Sequence, residues 1–455
     1  MSAKPLPIDI PPGVRLVDSR AAAPGRWTDT QWMRFRAGKA EKIGGWVKLV
    51  PDQMEGIARG SLGWTTLAGN NLMMAGTAVK VYSALDSLVD RTPYEAEGTL
   101  ATDPFAVTDT ETTVVVTHTS HGREAGDRVH FSGATAGGGI TIDGEYTVTV
   151  VTNDDTYEIE HSEPATSTDA STGGDAVAFA YEIHAGVADT SFGLGYGAGP
   201  YGMETYGTPR EDASGVEIEL RVWWLAEYGN QVLTVPSGGT LYIWDEPNNE
   251  PRFEAVSNAP ASIRAMFVTP ERFPVALGTT TPMTMQWPDV DDITDWTPDE
   301  TNTANIRTLQ NGSKLMGGTG VVEGLSLVWS DTSVYAMQYT GSDFVYETRL
   351  VGENCGLIAP QAFCGTGATA FWMSSAGFHY FTGTVESVPN EADILAYVRR
   401  NLSTDKASKI CCGFNPEARE VWWIWPANGA DEPDHYVAVA LENWSWTAGR
   451  IVRTT

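Results

Sequence analysis

Residues 419–446 read REVWWIWPANGADEPDHYVAVALENWSW. Val421 to Trp425 is apolar at every position, the chain turns through Pro-Ala-Asn-Gly, and Tyr436 to Leu441 is apolar again. A strand with one wet face alternates apolar and polar side chains. An unbroken apolar run instead marks a strand covered on both faces. The stretch therefore predicts a pair of antiparallel strands sandwiched between neighbours.

The same unit recurs along the chain. It reads NNLMMAGTAVKVYSA from Asn70, NQVLTVPSGGTLYIWD from Asn230, and RFPVALGTTTPMTMQWPD from Arg272. It returns as GLSLVWSDTSVYAMQYTG from Gly324 and ATAFWMSSAGFHYFTG from Ala368. From Asn230 onward the starts are 42, 52, 44 and 51 residues apart. A period of about 40–50 residues is that of propeller blades with four strands each. One twisted hairpin cannot cover its own apolar face, whereas blades stacked around an axis bury both. The expectation is an all-β protein built on a β-propeller of about six blades, with five or seven also compatible. The stretch RWTDTQWMRFRAGKAEKIGGW, from Arg26, is expected to close the ring against the last blade.

The first and second hairpins start 160 residues apart, far more than one period. Part of that gap has another style. TVVVTHT, GEYTVTVV and DTYEIEH alternate at period two and are joined by Gly and Asn-Asp turns, as in short antiparallel strands. A small barrel or sandwich inserted in the propeller follows. From Glu95 to Glu182 there are 17 acidic and 2 basic residues, against a net charge of -29 for all 455 residues. The organisation reads as 1–94, N-terminal strands and first blade; 95–183, acidic inserted β-domain; 184–215, a Gly/Tyr-rich connection; and 216–455, the remaining blades.

Composition narrows the function. The acidic balance and the absence of a dense Lys/Arg cluster argue against a phosphate-neutralising nucleic-acid binder. Arg26, Arg34, Arg36, Lys39 and Lys42 come nearest to one and read as a solvated strand face. The four cysteines, Cys355, Cys364, Cys411 and Cys412, form no CxxC and read as reduced thiols of a cytosolic synthesis. The N-terminus shows no signal-peptide core, and no apolar run is long enough for a membrane span.

Candidate chemistry is sparse. His118-x-x-His121 with His130 offers imidazoles for a metal but reads better as an exposed strand end. Asp289, Asp291, Asp292 and Asp295 could hold Ca²⁺ through oxygens, yet the loop lacks the glycine and final glutamate of an EF-hand. No nucleophile elbow, zincin, Walker or dinucleotide motif is present. Sialidase-type propellers carry S-x-D-x-G-x-T-W turns, and none occurs here. The segment SFGLGYGAGPYGMETYGTPR, from Ser191, has neither helical nor strand period. Its tyrosines read as a docking loop, so Tyr196, Tyr201, Tyr206 and Arg210 join Asp291 and Asp292 as interface candidates.

Several stretches, taken together, resemble the tail tube or nozzle β-propellers of short-tailed phages, with packaged-DNA stabilisation proteins as relatives in role. They are GRWTDTQWMRFRAGKAEKIGGW, GYGAGPYG with YGTPR, NAPASIRAMFVTPERFPVALG, WPDVDDITDWTP and VGENCGLIAPQAF. The resemblance implies a structural virion protein with no catalytic residues, cofactor or metal. It implies a homo-oligomeric ring, usually six-fold, below the portal and adaptor and near the tail fibres or spikes. DNA is retained in the channel and passes through it at ejection without specific binding. The alternative from another class is a carbohydrate-binding or carbohydrate-active propeller acting on a host surface.

Overall fold

The computed structural model describes residues 10–451 except 17–22, 24, 46, 49, 67–68, 85–86, 191–217, 246–250, 291 and 342–344. Six four-stranded antiparallel sheets form the blades of a propeller. Blade 1 spans 61–90, blade 2 223–255, blade 3 265–308, blade 4 315–353, blade 5 363–387 and blade 6 411–450. Within each blade the four strands lie side by side in chain order. The first strands of successive blades adjoin one another, so they are innermost and the fourth strands form the rim.

The six hairpins found in the sequence are the second and third strands of the six blades. In blade 6 these are Glu420–Trp425 and His435–Ala440, buried at almost every position. Their side chains fill the seams between blades. Trp329 of blade 4 meets Trp372 of blade 5 edge-on at 5.5 Å, and Phe378 of blade 5 lies 4.8 Å from Trp423 of blade 6. Each such buried tryptophan is worth about 3–5 kcal/mol when truncated to alanine. Between blades 1 and 2 the seam depends on a glycine. A Cβ on Gly76 would lie 2.2 Å from the ring of Trp223, whose indole donates to the Thr77 carbonyl at 2.6 Å.

The innermost strands are poor in sequence signal because the axis is crowded. Leu315–Val322 reads LMGGTGVV. A Cβ at Gly318 would stand 2.3 Å from Phe267, and one at Gly317 would stand 3.0 Å from both Phe363 and Trp224. Only glycine lets these backbones approach.

The N-terminal stretch meets the last blade, as expected, but contributes no fifth strand to it. Val14 donates its backbone N–H to the Trp446 carbonyl at 3.0 Å. Side chains do the rest. The Thr30 hydroxyl donates to the Ala448 carbonyl at 2.6 Å and accepts from the Ala448 N–H at 3.2 Å. The Gln31 amide donates to the Arg450 carbonyl at 2.8 Å and accepts from the Arg450 N–H at 2.9 Å. The open edge of the rim strand is thereby satisfied, which removes a template for wrong pairing. The hairpin of Met33–Arg36 and Lys39–Lys42 continues this arm, with Arg34 paired to the buried Glu420 at 3.2 Å.

After Asp90 the chain leaves blade 1 for an eight-stranded antiparallel sheet running from Tyr94 to Glu182. Its longest strand, Gly144–Asn153, pairs with a neighbour on each side and carries two register shifts. Such irregularities bend a strand, and the sheet folds over so that Phe105 packs edge-on against Phe131 at 5.2 Å. Alternation appears as read. Val114 and Val116, and Tyr157 and Ile159, are buried, while Thr117 and Glu160 at the strand ends are exposed.

The all-β fold carries two short helical pieces among the described residues, a 3-10 helix at Thr404–Lys409 and one α-helix. Ala392–Asn401 is an α-helix between blades 5 and 6, burying Ile394 and Val398, with Asp393 in its first turn and Arg399 and Arg400 in its last. That charge order suits the helix dipole.

Candidate functional site

The propeller axis is the usual place for a propeller's ligand, and here it is plugged. Trp224 of blade 2 and Phe363 of blade 5 stand on opposite sides of a six-membered ring of blades. Their rings nevertheless stack at 6.3 Å with 19° between planes. Trp329 backs Phe363 at 4.8 Å.

Above the plug, at the end where the innermost strands begin, two clefts open. The smaller, of about 230 Å³, is lined by Glu219, Arg264, Lys314, Asp331, Asp405 and Ser408 among others. Glu219 accepts from Lys314 at 2.5 Å and from Arg264. Burial works to raise its carboxyl, but the hydrogen bonds and charges of these two cations outweigh it and hold the group below the usual range. Asp331 is also held low. Burial again opposes, and the Ser313 hydroxyl and N–H, at 2.5 and 2.8 Å, prevail.

The larger cleft, of about 490 Å³, lies where blade 6 meets blade 1. Arg59 grips both oxygens of Glu432 at 2.7 and 2.8 Å. Lys409 donates to Glu432 at 2.7 Å and pairs with Asp189, which Lys406 also reaches at 3.2 Å. The Asp189 carboxyl is held low by the two lysines against its burial. These ion pairs bridge the closing seam of the ring. Cys411 and Cys412 line the same cleft.

The chemistry available here is limited. Most glycoside hydrolysis uses one carboxylic acid kept protonated beside a second, ionised one. Glu219, Asp331, Asp189 and Asp405 all have lowered values. The two glutamates that burial pushes upward, Glu391 and Glu420, lie elsewhere. Glu391 accepts the Phe378 N–H at 2.6 Å beside the helix, and Glu420 is held by Arg34 and by the Trp422 indole at 3.1 Å.

A second concentration of charge lies at the root of the inserted domain. Lys80 of blade 1 reaches Glu145 at 2.5 Å, Asp90 at 3.0 Å and Glu182 at 3.9 Å. Arg252 of blade 2 reaches Glu182 at 2.9 Å and Asp90 at 3.2 Å, with its guanidinium 4.2 Å over the Tyr94 ring. His130, Glu145 and Glu182 come close enough to share a metal ion. However, Arg252 lies 3.3 Å from His130 Nε2, and Lys80 lies between the carboxylates. These two cations already supply the positive charge that a metal would bring, so the cluster reads as a docking joint.

The only two basic residues of the insertion are spent at the same root. Arg123 pairs with Glu95 at 3.1 Å, and Arg128 pairs with Glu55. Away from the root the domain exposes Glu97, Asp109, Glu111, Asp154, Glu160 and Glu163, with no cation among its described residues to offset them. The result is a strongly anionic exposed surface on the inserted domain.

The residues singled out from sequence divide as follows. Tyr196, Tyr201, Tyr206, Arg210 and Asp291 lie outside the described residues. Asp292 is exposed and accepts from the Thr294 N–H and hydroxyl at 2.9 and 2.6 Å; Asp289 does the same for Thr303 at 2.8 and 2.6 Å. Asp295 accepts from the Asn302 amide at 2.8 Å. These carboxylates build the loop between the third and fourth strands of blade 3. His118 and His121 do not converge on a metal position. His118 bonds the Tyr181 hydroxyl at 2.6 Å, and His121 bonds the Asn153 carbonyl at 2.9 Å and the Arg123 N–H at 2.9 Å. Sequence reading missed the Arg59–Glu432–Lys409 bridge and the Lys80 joint. A lone Lys80 inside the apolar hairpin LMMAGTAVKVYSA was the signal available for the second.

No protein-family model matches the chain, and no curated protein is significantly similar to it. Among solved structures it is similar to the phage phi92 endosialidase, at 12% identity over 80% of this chain and 52% of that one, with a TM-score of 0.22. It is also similar to the dihydro-heme d1 dehydrogenase NirN, at 11% identity over 87% of this chain and 60% of that one, with a TM-score of 0.32. The chain therefore spans less than two thirds of either structure.

Proposed function

We propose that this chain is a structural component of a phage tail, assembling as a ring that retains packaged DNA and conducts it at ejection. The observation that carries the reading is the distribution of charge. In the axial clefts Glu219, Asp189 and Glu432 are ion-paired with lysines and arginines and Asp331 is held by Ser313, aromatic rings meet across the axis, and the inserted domain exposes acidic residues beyond its root. Such a surface repels a phosphate backbone and lets it slide.

In this reading the conduit lies between copies, since the axis of each propeller is plugged. The ring is six-fold, as the sequence resemblance implies, with portal and adaptor on one side and fibres or spikes on the other. The segment carrying Tyr196, Tyr201, Tyr206 and Arg210 is assigned to contacts between copies or with the adaptor. Its described flanks meet beside the smaller cleft, where the Leu220 N–H donates to Thr190 Oγ1 at 3.3 Å. The test is the mass of the purified full chain by light scattering, together with a duplex-DNA binding assay at low salt. A closed oligomer without DNA affinity supports the reading. A monomer that cleaves or binds host-surface polysaccharide overturns it in favour of the carbohydrate-directed alternative.

A further inference from the structure

The innermost strands of blades 5 and 6, Phe363–Gly365 and Cys411–Asn415, run side by side. The Cys412 N–H donates to the Gln361 carbonyl at 2.7 Å, and Gln361 forms a parallel bridge with Cys411. This register brings Cys364 Sγ and Cys412 Sγ to 3.3 Å. All four cysteines are free thiols. The other two have no sulfur in contact: Cys355 is buried in the seam between blades 4 and 5, and Cys411, the residue before Cys412, alternates in direction with it along the strand although both border the cleft.

We propose that Cys364 and Cys412 are an oxidisable dithiol, forming a disulfide that staples the innermost strands of blades 5 and 6. Three observations support it independently of the chain's role. The sulfurs are already in contact. The strands carrying them are held in register by the backbone. Cys412 lines the 490 Å³ cleft at the closing seam, which gives a small oxidant a way in.

The reaction balances with a small organic disulfide, RSSR, as oxidant. The Cys412 thiol loses its proton and attacks one sulfur of RSSR, releasing RSH and leaving a Cys412–SR mixed disulfide. The Cys364 thiol then loses its proton and attacks Cys412 Sγ, releasing the second RSH. Two protein thiols lose two electrons in all, and RSSR gains them. Burial, with the Cys364 thiol beside it, pushes the Cys412 thiol well above its ordinary value. Attack requires the thiolate, so the step is slow at neutral pH and quickens as pH rises.

The test incubates the native full chain with hydroxyethyl disulfide at pH 8.5, then counts thiols after denaturation and maps the peptides by mass. The expected result is a fall from four thiols to two, with one cross-linked peptide joining Cys364 to Cys412 and lighter by two hydrogens. Oxidation raises the melting temperature by roughly a few degrees, because the bond closes a long loop. C355S and C411S should each still lose two thiols, whereas C364S and C412S should lose none to an internal bond. A chain that keeps four thiols, or that bonds through Cys411 or between molecules, overturns the proposal. The serine variants are read by thiol count on folded protein, confirmed by tryptophan fluorescence, so a folding failure is not mistaken for a result.

Discussion

Replacing Lys80 with methionine tests the joint between the inserted domain and the propeller. The Lys80 side chain is 6% exposed and faces Asp90, Glu145 and Glu182, the last only 1% exposed. Methionine fills nearly the same space without the charge. Arg252 remains beside Asp90 and Glu182, and Glu145, a third exposed, can turn to water. Breaking a buried ion pair costs about 3–5 kcal/mol; the surviving partner places K80M at the lower end, about 3 kcal/mol. The assay is urea unfolding followed by two signals. The stretch from Glu95 to Glu182 contains no tryptophan, so fluorescence reports the propeller and circular dichroism reports both parts. Adding E182Q removes one of the carboxylates that Lys80 faces, so the double variant should cost at least about 1 kcal/mol less than the sum of the two single variants.

The linkage has a definite sign. Burial lowers the Lys80 value, but the hydrogen bond to Glu145 and the fields of Glu182 and Asp90 raise it above the ordinary lysine range. Its stabilisation is therefore complete below the unfolded lysine value and lost only as pH rises through the folded one. On the acid side, burial opposes ionisation of Asp90, and the Thr92 hydroxyl, Arg252 and Lys80 overcome it. The K80M deficit should thus be constant from neutral pH to about pH 10 and shrink below about pH 4 as carboxylates protonate. A K80M chain within about 0.5 kcal/mol of wild type, or a double variant that is simply additive, refutes the reasoning.

Other outcomes follow from the same geometry. G76A forces a Cβ to 2.2 Å from Trp223 and should destabilise the propeller by about 1–3 kcal/mol, read as a lower urea midpoint by fluorescence. T30A and Q31A each remove a two-way bond to the rim strand of blade 6 and should cost about 1 kcal/mol each, with faster proteolytic clipping of the N-terminal arm. His379, buried and bonded to Ser374 at 2.8 Å, is pushed down to about 4 by desolvation. The unfolded chain takes up its proton near pH 6.5 and the folded chain does not. Stability should therefore fall as pH drops from 6.5 toward 4, and H379N should show a shallower slope over that window.

The propeller was legible because its second and third strands are covered on both faces, which forces unbroken runs such as VWWIW and AFWM. The innermost strands were not, because Gly317 and Gly318 are there to make room rather than to fill it. The helix left a faint signal in Ile394 and Val398 four apart, between Asp393 and Arg399, too short to stand out among strands. The insertion was legible from its period-two alternation and its charge. The ion-pair bridges were not, since Arg59 and Glu432 lie 373 residues apart and meet only when the ring closes. His118 and His121, although close in sequence, each bond a different neighbour.

Whether copies of this chain close into a ring is decided by an electron-microscopy map of the full chain. The expected map shows a closed ring with a central channel wide enough for duplex DNA, lined by acidic side chains, and with Trp224 and Phe363 meeting at each propeller's own axis. A monomer with an open axial pocket, or a ring whose channel wall is basic, would contradict it.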